Sequence, residues 1–388
     1  MKYDAIIIGG GAAGLFCAAA TKINNGLILE KSSAPGRKLL MAGSGQCNLT
    51  HGGDIKDFIN HYGDNGKKVR SPLYKISNLK MMEFFESHGI PLIERDDGKV
   101  FPESMRSSDV LNLLMHLSSQ NGWKLKTDCP AKSIKIQEDG SFLVNGRHES
   151  NKLIIACGGC SIPTTGSDGS IFPLLEKLGL EVIEPAPALV PLTVQEYPYG
   201  ELSGISFKNA LVTVDGHKRI DDVLFTHTNF SGPGILNLSR YAKPGSTLTI
   251  NYLGKEEKIQ APASEKRQVQ HWLADTYWLP KRFVEKVLER ADVDPKTVAN
   301  QLTKKQKQII SAILIRDTFS ISGTTGFKQA MVTRGGVSLN EINMKTFESK
   351  KHPGLHIIGE TLDVDGDTGG YNLQFAFSSG VLAGYNLK

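Results

Sequence analysis

Residues 3–14 read YDAIIIGGGAAG, an uninterrupted apolar run of strand length that ends in three consecutive glycines. A run without polar alternation is typical of a strand buried on both faces of a parallel sheet. The alanine-rich residues 12–24 predict a helix, and residues 27–29 predict the next strand. The first 30 residues therefore predict a β-α-β unit, from which doubly wound α/β domains are built.

This unit carries the spacing Gly9-x-Gly11-x-x-Gly14 where the strand meets the helix. Gly9 permits the tight turn, Gly11 lets the backbone approach a pyrophosphate, and Gly14 allows close helix–strand packing. Glu30 ends the second strand, where its carboxylate would accept hydrogen bonds from ribose hydroxyls and repel a 2′-phosphate. The pattern predicts a dinucleotide site and argues against NADP in it, but FAD and NAD share the fingerprint.

A second glycine-rich segment lies near the other end of the chain. Residues 355–358 predict a strand that leads into Gly359-Glu360, and Asp365 and Gly370 precede a helix expected from about 373 to 385. A strand ending in Gly-Glu before a glycine-rich helix start suits a flavin, because the helix dipole would lie beside the N1/O2 edge of its ring. An ordinary capped helix explains the same residues without a ligand.

Composition limits the class of protein. Glycine makes up 40 of 388 residues, against roughly 7% in average proteins. Hydrophobic residues are 40% and the glycines follow no three-residue period, which excludes disordered and collagen-like chains. The 45 Lys+Arg and 40 Asp+Glu leave a net charge of +5, too small to predict a nucleic-acid or membrane partner. Five irregularly spaced cysteines and the lack of an 18-residue apolar run favour a cytoplasmic protein.

The expected fold class is α/β, with a Rossmann-like domain that is discontinuous in sequence. Residues 1–187 and 334–388 are expected to form this domain, and 188–254 with 323–333 a β-rich, barrel-like insertion. Residues 255–322 contain no glycine and are expected to form a helical insertion. Further elements are predicted as helices over 76–88, 107–121, 282–289 and 304–314, a hairpin around Asp139-Gly140, and a strand over 152–156.

Several further motifs resemble a single family. They are Gly36-Arg37-Lys38, SGQCNLT (44–50), ACGG (156–159), PTTGS (163–167), LFTH (224–227), SGP (231–233), MVTRGGV (331–337), ESK (348–350) and GYNLQ (370–374). Over nearly the whole chain they resemble the BaiN/YhiN-type family of FAD-dependent oxidoreductases, also called the aminoacetone oxidase family. The resemblance implies an FAD domain of the glutathione-reductase type, split by a β-rich and a helical insertion.

The resemblance also implies which residues lie along the FAD. Arg37, Lys38 and the 44–48 loop are expected along the cofactor and its isoalloxazine, and Ala131 on the adenine side. With the fingerprint, the expected cofactor contacts are Gly9, Gly11, Ala12, Ala13, Gly14, Glu30, Lys31, Arg37, Lys38, Ser44, Gly45, Cys47, Asn48, Ala131, Gly158, Gly159, Gly359, Glu360, Asp365, Gly370, Asn372 and Leu373. No metal is expected.

The chain departs from the family pattern at three places. Gln46 stands where the family usually has Arg, Cys157 where it has Thr, and DGSIF (168–172) where TGDGY is common. The absent Arg removes a positively charged donor beside the expected flavin. This change bears on the flavin potential or on the charge of the substrate.

Four side chains are candidates for chemistry, and each also has an ordinary structural interpretation. Cys47 is a candidate reactive thiol and His227 a candidate proton donor, while Arg334 and Tyr371 are candidate substrate contacts. Packing against the flavin is the preferred interpretation of Cys47, and a bond to the backbone is the preferred interpretation of His227.

Cys157 and Cys160 form a CxxC, which permits a redox dithiol or half of a zinc site. The sequence has no second CxxC, and the family pattern has no cysteine pair here. Packing is therefore the preferred interpretation of both thiols.

These features predict an oxidoreductase that passes hydride or electrons between a small organic substrate and NAD(P)H or oxygen through non-covalent FAD. The sequence has no second GxGxxG, so NAD(P)H would bind transiently at the isoalloxazine face, and otherwise the enzyme is an oxidase. An RNA-modifying flavoprotein is an alternative, because basic residues recur at 281, 282, 286, 290, 304, 305 and 307. The interleaved Glu285 and Glu289 favour a solvated helix face instead. A non-catalytic flavin-binding protein is the third possibility.

Overall fold

The computed structural model describes residues 2–254, 259 and 261–387. Its strands are β1 Lys2–Ile8, β2 Gly26–Leu29, β3 Thr50–His51, β4 Leu92–Glu94, β5 Lys99–Pro102, β6 Trp123–Lys126, β7 Ile134–Ile136, β8 Phe142–Val144, β9 His148–Ile155, β10 Val182–Ala188, β11 Leu192–Val194, β12 Ser206–Val214, β13 His217–Phe225, β14 Phe230–Ser231, β15 Thr247–Asn251, β16 Asp317–Thr324, β17 Val332–Val337, β18 Ile342–Asn343, β19 Glu348–Ser349 and β20 Leu355–Ile357. Its helices are α1 Ala12–Ala19, α2 Arg37–Met41, α3 Gly66–Lys75, α4 Asn78–Ser87, α5 Ser107–Gln120, α6 Phe172–Lys177, α7 Pro233–Leu238, α8 Val269–Tyr277, α9 Lys281–Arg290, α10 Lys304–Arg316 and α11 Tyr371–Tyr385.

The chain divides into two compact units. The first comprises Met1–Ala188 and Phe327–Lys388, and the second comprises Leu189–Gly326. The first unit is discontinuous because the second interrupts it between β10 and β17, which pair antiparallel. None of the described helices is long and apolar enough to cross a membrane.

A sheet with a parallel core forms the centre of the first unit. Its strand order is β18-β19-β20-β9-β1-β2-β6, with the β7–β8 hairpin joined to β9. The pairs β20–β9, β9–β1, β1–β2 and β2–β6 are parallel. The residues of β1 between Ile6 and Ile8 are at most 4% exposed, as expected for a strand covered on both faces. This confirms the predicted α/β class and the β-α-β unit at the N-terminus.

Helices α1 and α11 pack against each other through glycines of α11. A Cβ on Gly380 would lie 2.5 Å from the carbonyl oxygen of Ala13, and one on Gly384 would lie 2.4 Å from Thr21 Oγ1. Both glycines therefore allow the two backbones to approach closely. The contact joins the first helix of the chain to the last within the first unit.

The second unit is built on a closed barrel with the order β11-β14-β13-β12-β15-β16. Its core also takes in the helices α8, α9 and α10, since Phe225 and Ile250 of the barrel share one buried cluster with Phe283 and Leu314 of the helices. The barrel-like insertion predicted from sequence is thereby confirmed as part of the fold. The helices and the barrel form one unit with a single hydrophobic core.

The structure also differs from the expected domain boundaries. Residues 317–322, assigned to the helical insertion, belong to β16, which pairs with β11 and β15 and closes the barrel. Residues 327–333, assigned to the β-rich insertion, belong to the first unit. The expected boundary at 254/255 borders residues 255–258, which lie outside the described residues. The division into three segments remains a proposal about domain organisation.

Candidate functional site

Four parallel strands of the first unit end in register, and this register assembles the candidate site. Ile8 pairs with Leu29 on one side and with Ile155 on the other, and Ile155 also pairs with Ile357. Gly9 and Glu30 directly follow β1 and β2, while Cys157 and Gly359 lie two residues beyond the ends of β9 and β20. In doubly wound folds, ligands bind outside the carboxyl ends of the strands, where the strand order reverses. The predicted residues at both ends of the chain thus meet at one edge.

The three fingerprint glycines differ in what surrounds them. A Cβ on Gly9 would lie 2.3 Å from the Ala156 carbonyl oxygen, and the φ of Gly9 is +109°. A Cβ on Gly14 would lie 2.1 Å from the Gly9 carbonyl oxygen. Around Gly11 the protein leaves open space, with nothing within 4 Å of its Cβ position. Gly9 and Gly14 are therefore required by the fold, whereas the open space at Gly11 is available to a ligand.

Glu30 is buried beside the turn that precedes α1. Its Oε2 accepts a hydrogen bond from the Gly10 amide at 2.8 Å, and its Oε1 accepts one from the Ser32 amide at 2.7 Å. A carboxylate has about four lone-pair sites, so each oxygen can accept a further hydrogen bond from a hydroxyl. The Cys129 amide donates to the Glu30 carbonyl oxygen, and this contact brings the segment that contains Ala131 alongside.

Helix α2 brings two predicted cations to the same edge. The Gly36 amide, at the start of this helix, donates to the Gly10 carbonyl oxygen. Arg37 is exposed and forms no ion pair with any described residue. Lys38 Nζ lies 2.6 Å from Glu360 Oε2 and also contacts the Ser161 hydroxyl. The structure therefore brings Lys38 and Glu360 together, with Arg37 left facing solvent.

The segment that leads from α2 to β3 has an unusual backbone. Gly43, Ser44, Gly45 and Cys47 all have positive φ angles between 57° and 88°. Left-handed conformations are costly for Ser and Cys, and such strain concentrates at functional sites. Cys47 itself is completely buried, and burial raises the pKa of its thiol to about 12. Its thiol is therefore protonated at neutral pH, which does not suit a reactive thiolate.

Two asparagine side chains, one in α11 and one from the segment before β3, hold the start of α11. Asn372 accepts from the Gly366 amide at 2.7 Å and donates to the Gly366 carbonyl oxygen at 2.8 Å, which closes the preceding loop. Asn48, in the orientation that satisfies both of its polar atoms, accepts from the Gly370 amide at 3.1 Å. No side chain caps α11, and its first turn contains no acidic residue. Its positive end is therefore available to a negatively charged or electron-rich group.

Of the other candidates for chemistry, Tyr371 and Arg334 lie in the first unit and His227 lies in the second. The Tyr371 ring is 4% exposed and stacks on His61, with ring centroids 4.0 Å apart, and on His51 at 5.2 Å. The burial of this ring favours a role in packing. Arg334 lies on β17 with an exposed side chain. His227 lies in the second unit, exposed, in the turn between β13 and β14.

The two cysteines of the CxxC have different neighbours. Cys157 Sγ donates to the Ile8 carbonyl oxygen at 3.4 Å, whereas a Cβ on Gly169 would lie 2.6 Å from Cys160 Sγ. Both cysteines are free. Burial, together with the charge of Glu30, raises the pKa of Cys157 to about 12, and burial also raises the pKa of Cys160. No group of three or more His, Cys, Asp or Glu suited to a metal ion occurs among the described residues.

The remaining predicted contacts lie close to the same strand ends. Gly158 has a φ of +71°, and a Cβ on Gly159 would lie 2.4 Å from Thr333. The amide of Gly359 donates to Ser379 Oγ at 3.0 Å. Lys31 pairs with Asp168. Asp365 and Leu373 are both partly buried.

Sequence reasoning missed the polar residues that hold this edge together. The Ser161 hydroxyl donates to Glu360 Oε1 at 2.8 Å, and the Thr333 amide donates to the same oxygen at 2.7 Å. Thr333 Oγ1 accepts from the Cys160 amide at 2.7 Å. Arg95 donates to Gln46 Oε1 at 2.8 Å and lies over the Phe101 ring. No local pattern marks these residues, because their partners are distant in sequence.

These features fit a bound FAD. Neither α1 nor α11 has a side-chain cap or an acid in its first turn, so no side chain there offsets the positive end of either helix dipole. Gly11 leaves room for a pyrophosphate, and Glu30 can accept from ribose hydroxyls. The exposed Arg37 adds a positive charge at the edge where phosphates would lie.

Comparison with known proteins assigns the chain to a family. A family model described as the HI0933-like protein Rossmann domain matches residues 3–386. The chain is 32% identical over 390 residues to a ribosomal RNA dihydrouridine synthase of Escherichia coli K12, covering 97% of this chain and 96% of that protein. It is 30% identical over 408 residues to a 3-dehydro-bile acid delta(4,6)-reductase of Clostridium scindens, covering 97% of each.

A solved structure supports the fold. The 3-ketosteroid-delta4-(5alpha)-dehydrogenase of Rhodococcus jostii RHA1 superimposes with a TM-score of 0.51 and 13% sequence identity, covering 99% of this chain and 97% of that chain. With a family model that spans nearly all of its residues, the chain belongs to the HI0933-like family of FAD-dependent Rossmann oxidoreductases.

Proposed function

We propose that this protein is an FAD-dependent reductase that saturates a carbon–carbon double bond conjugated with a carbonyl group, and that its substrate is uridine in RNA. The proposed FAD site is supported chiefly by the register of four parallel strands, β2, β1, β9 and β20. This register brings Glu30, Gly9, Gly158 and Gly359 to one edge of the sheet. The substrate class is supported by the names of the two relatives. Dihydrouridine synthesis and the reduction of a dehydro-bile acid both saturate a double bond in conjugation with a ring carbonyl.

The residues of this chain would bind and orient the cofactor. The amides of Gly11 and the first turn of α1 would hold the pyrophosphate, and Glu30 would accept from ribose hydroxyls. The uncapped start of α11 would favour negative charge on a group bound there. When bound, FAD supplies the two-electron chemistry that takes hydride from a reductant and delivers it to a substrate. The cysteines Cys47 and Cys157 take no part, because the raised pKa of each thiol keeps it protonated.

NAD(P)H is the proposed reductant, bound transiently because the sequence has no second GxGxxG. The overall reaction then balances. NAD(P)H loses hydride and becomes NAD(P)+, and one carbon of the double bond gains hydride while its neighbour gains a proton from solvent or a side chain. An oxidase that passes electrons to oxygen, as the sequence also allows, is the outcome to exclude.

A small ring ketone is the second candidate substrate, and the C. scindens relative is the observation that favours it. At about 30% identity over the full chain, that relative and the E. coli one act on substrates of very different size. Family membership therefore does not select between RNA and a small molecule. Because an RNA presents many phosphates and a small ring ketone presents none, the substrates can be separated by their salt dependence.

The test is anaerobic reduction followed by reoxidation. The FAD-loaded protein is mixed with NADH, NADPH or an aminoketone, and bleaching of the flavin absorbance is followed by stopped flow. The reduced protein is then mixed with a uridine-containing ribosomal RNA transcript, a conjugated ring ketone or oxygen, and the RNA is digested and analysed by mass spectrometry for uridine that has gained two hydrogens. We expect NAD(P)H to reduce the flavin and the transcript to reoxidise it. Reoxidation by oxygen alone, without dihydrouridine, would contradict the proposal.

A further inference from the structure

Trp278 is the most exposed large hydrophobic side chain in the described part of the chain, at 91%. It follows α8 directly, while Trp272 within that helix is 3% exposed and Leu279 beside it is 7% exposed. The backbone of Trp278 is left-handed, with φ 53° and ψ 39°. At this position after a helix, glycine is the residue that the backbone favours. Neither packing nor backbone geometry explains why the chain has a tryptophan here.

Two positively charged residues at the start of the next helix, three and four positions after Trp278, oppose the local helix dipole. Helix α9 begins with Lys281 and Arg282, both exposed, and has no acid in its first turn. Cations at a helix N-terminus are unfavourable, because the dipole is positive there. Arg282 donates to the Glu201 carbonyl oxygen, whereas Lys281 forms no ion pair with any described residue.

The same arrangement recurs at the start of α10. Lys304 and Lys305 are exposed, and within the described residues neither forms an ion pair. The helix is capped by Thr303 together with Gln306, so the cap adds no negative charge. Residues 189–326 hold 18 Lys+Arg and 14 Asp+Glu, and thus most of the chain's charge of +5. The second unit therefore has a small positive excess, and the exposed lysines at the starts of α9 and α10 are the cations that could neutralise phosphates.

Structural pairing accounts for other basic residues of this segment. Arg290 pairs with the buried Asp317 at 2.9 Å, and Lys286 pairs with Glu289 at 2.8 Å. Both are used within the fold. Near the exposed indole, Lys281 forms no ion pair with any described residue and Arg282 donates to a backbone carbonyl oxygen, so neither charge is neutralised by an acid that the structure describes.

We propose that Trp278, together with Lys281 and Arg282, is a contact for single-stranded RNA, in which the indole stacks on a nucleobase and the cations neutralise phosphates. This inference rests on the proposed RNA substrate. An exposed aromatic ring beside basic side chains is the combination with which proteins bind single strands, because every base has a face that can stack. A charged membrane surface would use the same residues differently, and it is an outcome of the test below.

The experiment uses the full-length, FAD-loaded protein and a labelled 12-nucleotide oligouridine, with binding followed by fluorescence anisotropy at several salt concentrations. The central variant is Trp278→Gly, because glycine suits the left-handed backbone and the variant is expected to fold at least as well. We expect it to weaken binding about tenfold, while Trp278→Tyr keeps most of the affinity. Lys281→Gln should reduce the slope of log affinity against log salt by about 0.7.

Two controls make the result specific. Ile220→Ala removes another exposed apolar side chain, 60% exposed on β13, and should leave oligouridine binding unchanged. Trp123 and Trp272 are both under 5% exposed, so quenching of solvent-accessible tryptophan emission by RNA should disappear in Trp278→Gly. Vesicles containing phosphatidylserine are the membrane probe.

Wild-type affinity in Trp278→Gly, an equal loss in Ile220→Ala, or Trp278-dependent binding to the vesicles in place of oligouridine would overturn the inference. The outcome is separable from that of the proposed function. If the wild type forms dihydrouridine and Trp278→Gly binds RNA normally, the contact is wrong and the function stands. If Trp278→Gly loses binding while the wild type forms no dihydrouridine, the contact stands and the function is wrong.

Discussion

The Lys38 ammonium lies 2.6 Å from the Glu360 carboxylate although 322 residues separate the two in sequence. The same carboxylate accepts hydrogen bonds from the Ser161 hydroxyl and the Thr333 amide. The side chains of Lys38 and Glu360 are 28% and 19% exposed, so the pair is only partly screened by water. One carboxylate thus joins α2, the segment after β9 and β17 at the edge where the cofactor is proposed to bind.

Glu360→Gln is expected to weaken this junction. The amide keeps one acceptor but removes the charge that Lys38 pairs with, and hydrogen bonds to charged groups contribute about 1.5–3 kcal/mol. We expect the apoprotein to lose about 1–2 kcal/mol of unfolding free energy, measured by urea denaturation. FAD affinity, measured by flavin fluorescence titration, should fall about tenfold.

The matched control is Glu149→Gln, which removes the acid of the exposed Lys2–Glu149 pair. Exposed ion pairs contribute about 0–1 kcal/mol, so this variant should keep both stability and FAD affinity. Equal effects of the two variants would show that Glu360 has no particular role at the site.

Gly11→Ala should separate cofactor binding from folding. Gly11 has an ordinary backbone, with φ −88°, and open space around its Cβ position. The apoprotein of this variant should therefore unfold at the same urea concentration as the wild type, while FAD binding weakens about 100-fold, or about 2.7 kcal/mol, because a methyl group would meet the pyrophosphate.

Gly14→Ala is the contrasting variant, because its Cβ would lie 2.1 Å from a carbonyl oxygen in the protein itself. It should lower both the stability of the apoprotein and FAD binding. Unchanged FAD affinity in Gly11→Ala would show that the pyrophosphate does not bind against this turn.

Elements with a local signature were predictable from the sequence. The apolar run before Gly9 predicted β1, and helices expected over 76–88 and 107–121 occur as Asn78–Ser87 and Ser107–Gln120. The helix expected over 12–24 ends already at Ala19, as α1. Residues 317–322 alternate between buried and exposed side chains, with Phe319 and Ile321 buried. This period of two is typical of a strand. The residues were nevertheless assigned to the helical insertion, because the whole segment 255–322 contains no glycine.

The candidate site was predictable only where the residue type itself carries information. Gly9 and Gly14 are required by backbone geometry, and Glu30 is an acid at the end of a strand whose carboxylate accepts from the Gly10 amide. Ser161 and Thr333 have ordinary local sequences, and their roles arise from contacts with Glu360 across the fold. A single sequence contains no record of such long-range pairings.

A buried ionic network should dominate the stability of the second unit. Arg290 binds Asp317 through two nitrogens at 2.9 Å, and Asp317 also accepts from the hydroxyls of Tyr199 and Tyr252. Asp317 is 3% exposed, so Asp317→Asn would leave the guanidinium without its charge partner. Breaking a buried pair costs about 3–5 kcal/mol, and we expect a loss near 3 kcal/mol in chemical denaturation.

Two further variants test the origin of that loss. Tyr252→Phe removes one hydroxyl from Asp317 and should cost about 1 kcal/mol. Glu289→Gln breaks the pair with Lys286. Because the Glu289 side chain is 65% exposed, this variant should change the free energy of unfolding by less than about 1 kcal/mol. A small effect of Asp317→Asn would show that the network contributes little to folding.

Stability should fall as the pH drops below about 6.5, and His356 should account for part of the fall. The His356 side chain lies in β20 at 1% exposure, and burial lowers its pKa below the ordinary value of 6.5. The folded protein therefore keeps the ring neutral at a pH where the unfolded chain binds a proton. The free energy of unfolding decreases as pH falls from 6.5 towards the folded pKa, by at most about 1.4 kcal/mol per pH unit for this group.

His356→Gln should flatten this pH dependence between pH 7.5 and 5.5, measured by urea denaturation, because glutamine can still donate to the Thr346 carbonyl oxygen that faces Nδ1. Burial also lowers the pKa of His148, so part of the dependence remains. His116→Gln, at an exposed position, should leave the profile as it is. A profile that His356→Gln does not change would exclude this ring as a source of acid sensitivity.

The thiols of Cys47 and Cys157 should be inert, and flavin reduction should not need them. Burial raises the pKa of Cys47 and of Cys157 to about 12, so the reactive thiolate is scarce at pH 7.4. We expect iodoacetamide to leave both unmodified in the native protein and to modify both after denaturation, as read by peptide mass spectrometry. Cys160 has only a partly buried thiol with a raised pKa and should react slowly.

The flavin of the double variant Cys157→Ser with Cys160→Ser should be bleached by NAD(P)H as fast as that of the wild type. A large loss of that rate, together with a Cys157–Cys160 disulfide in the oxidised wild type, would instead establish a redox dithiol beside the flavin.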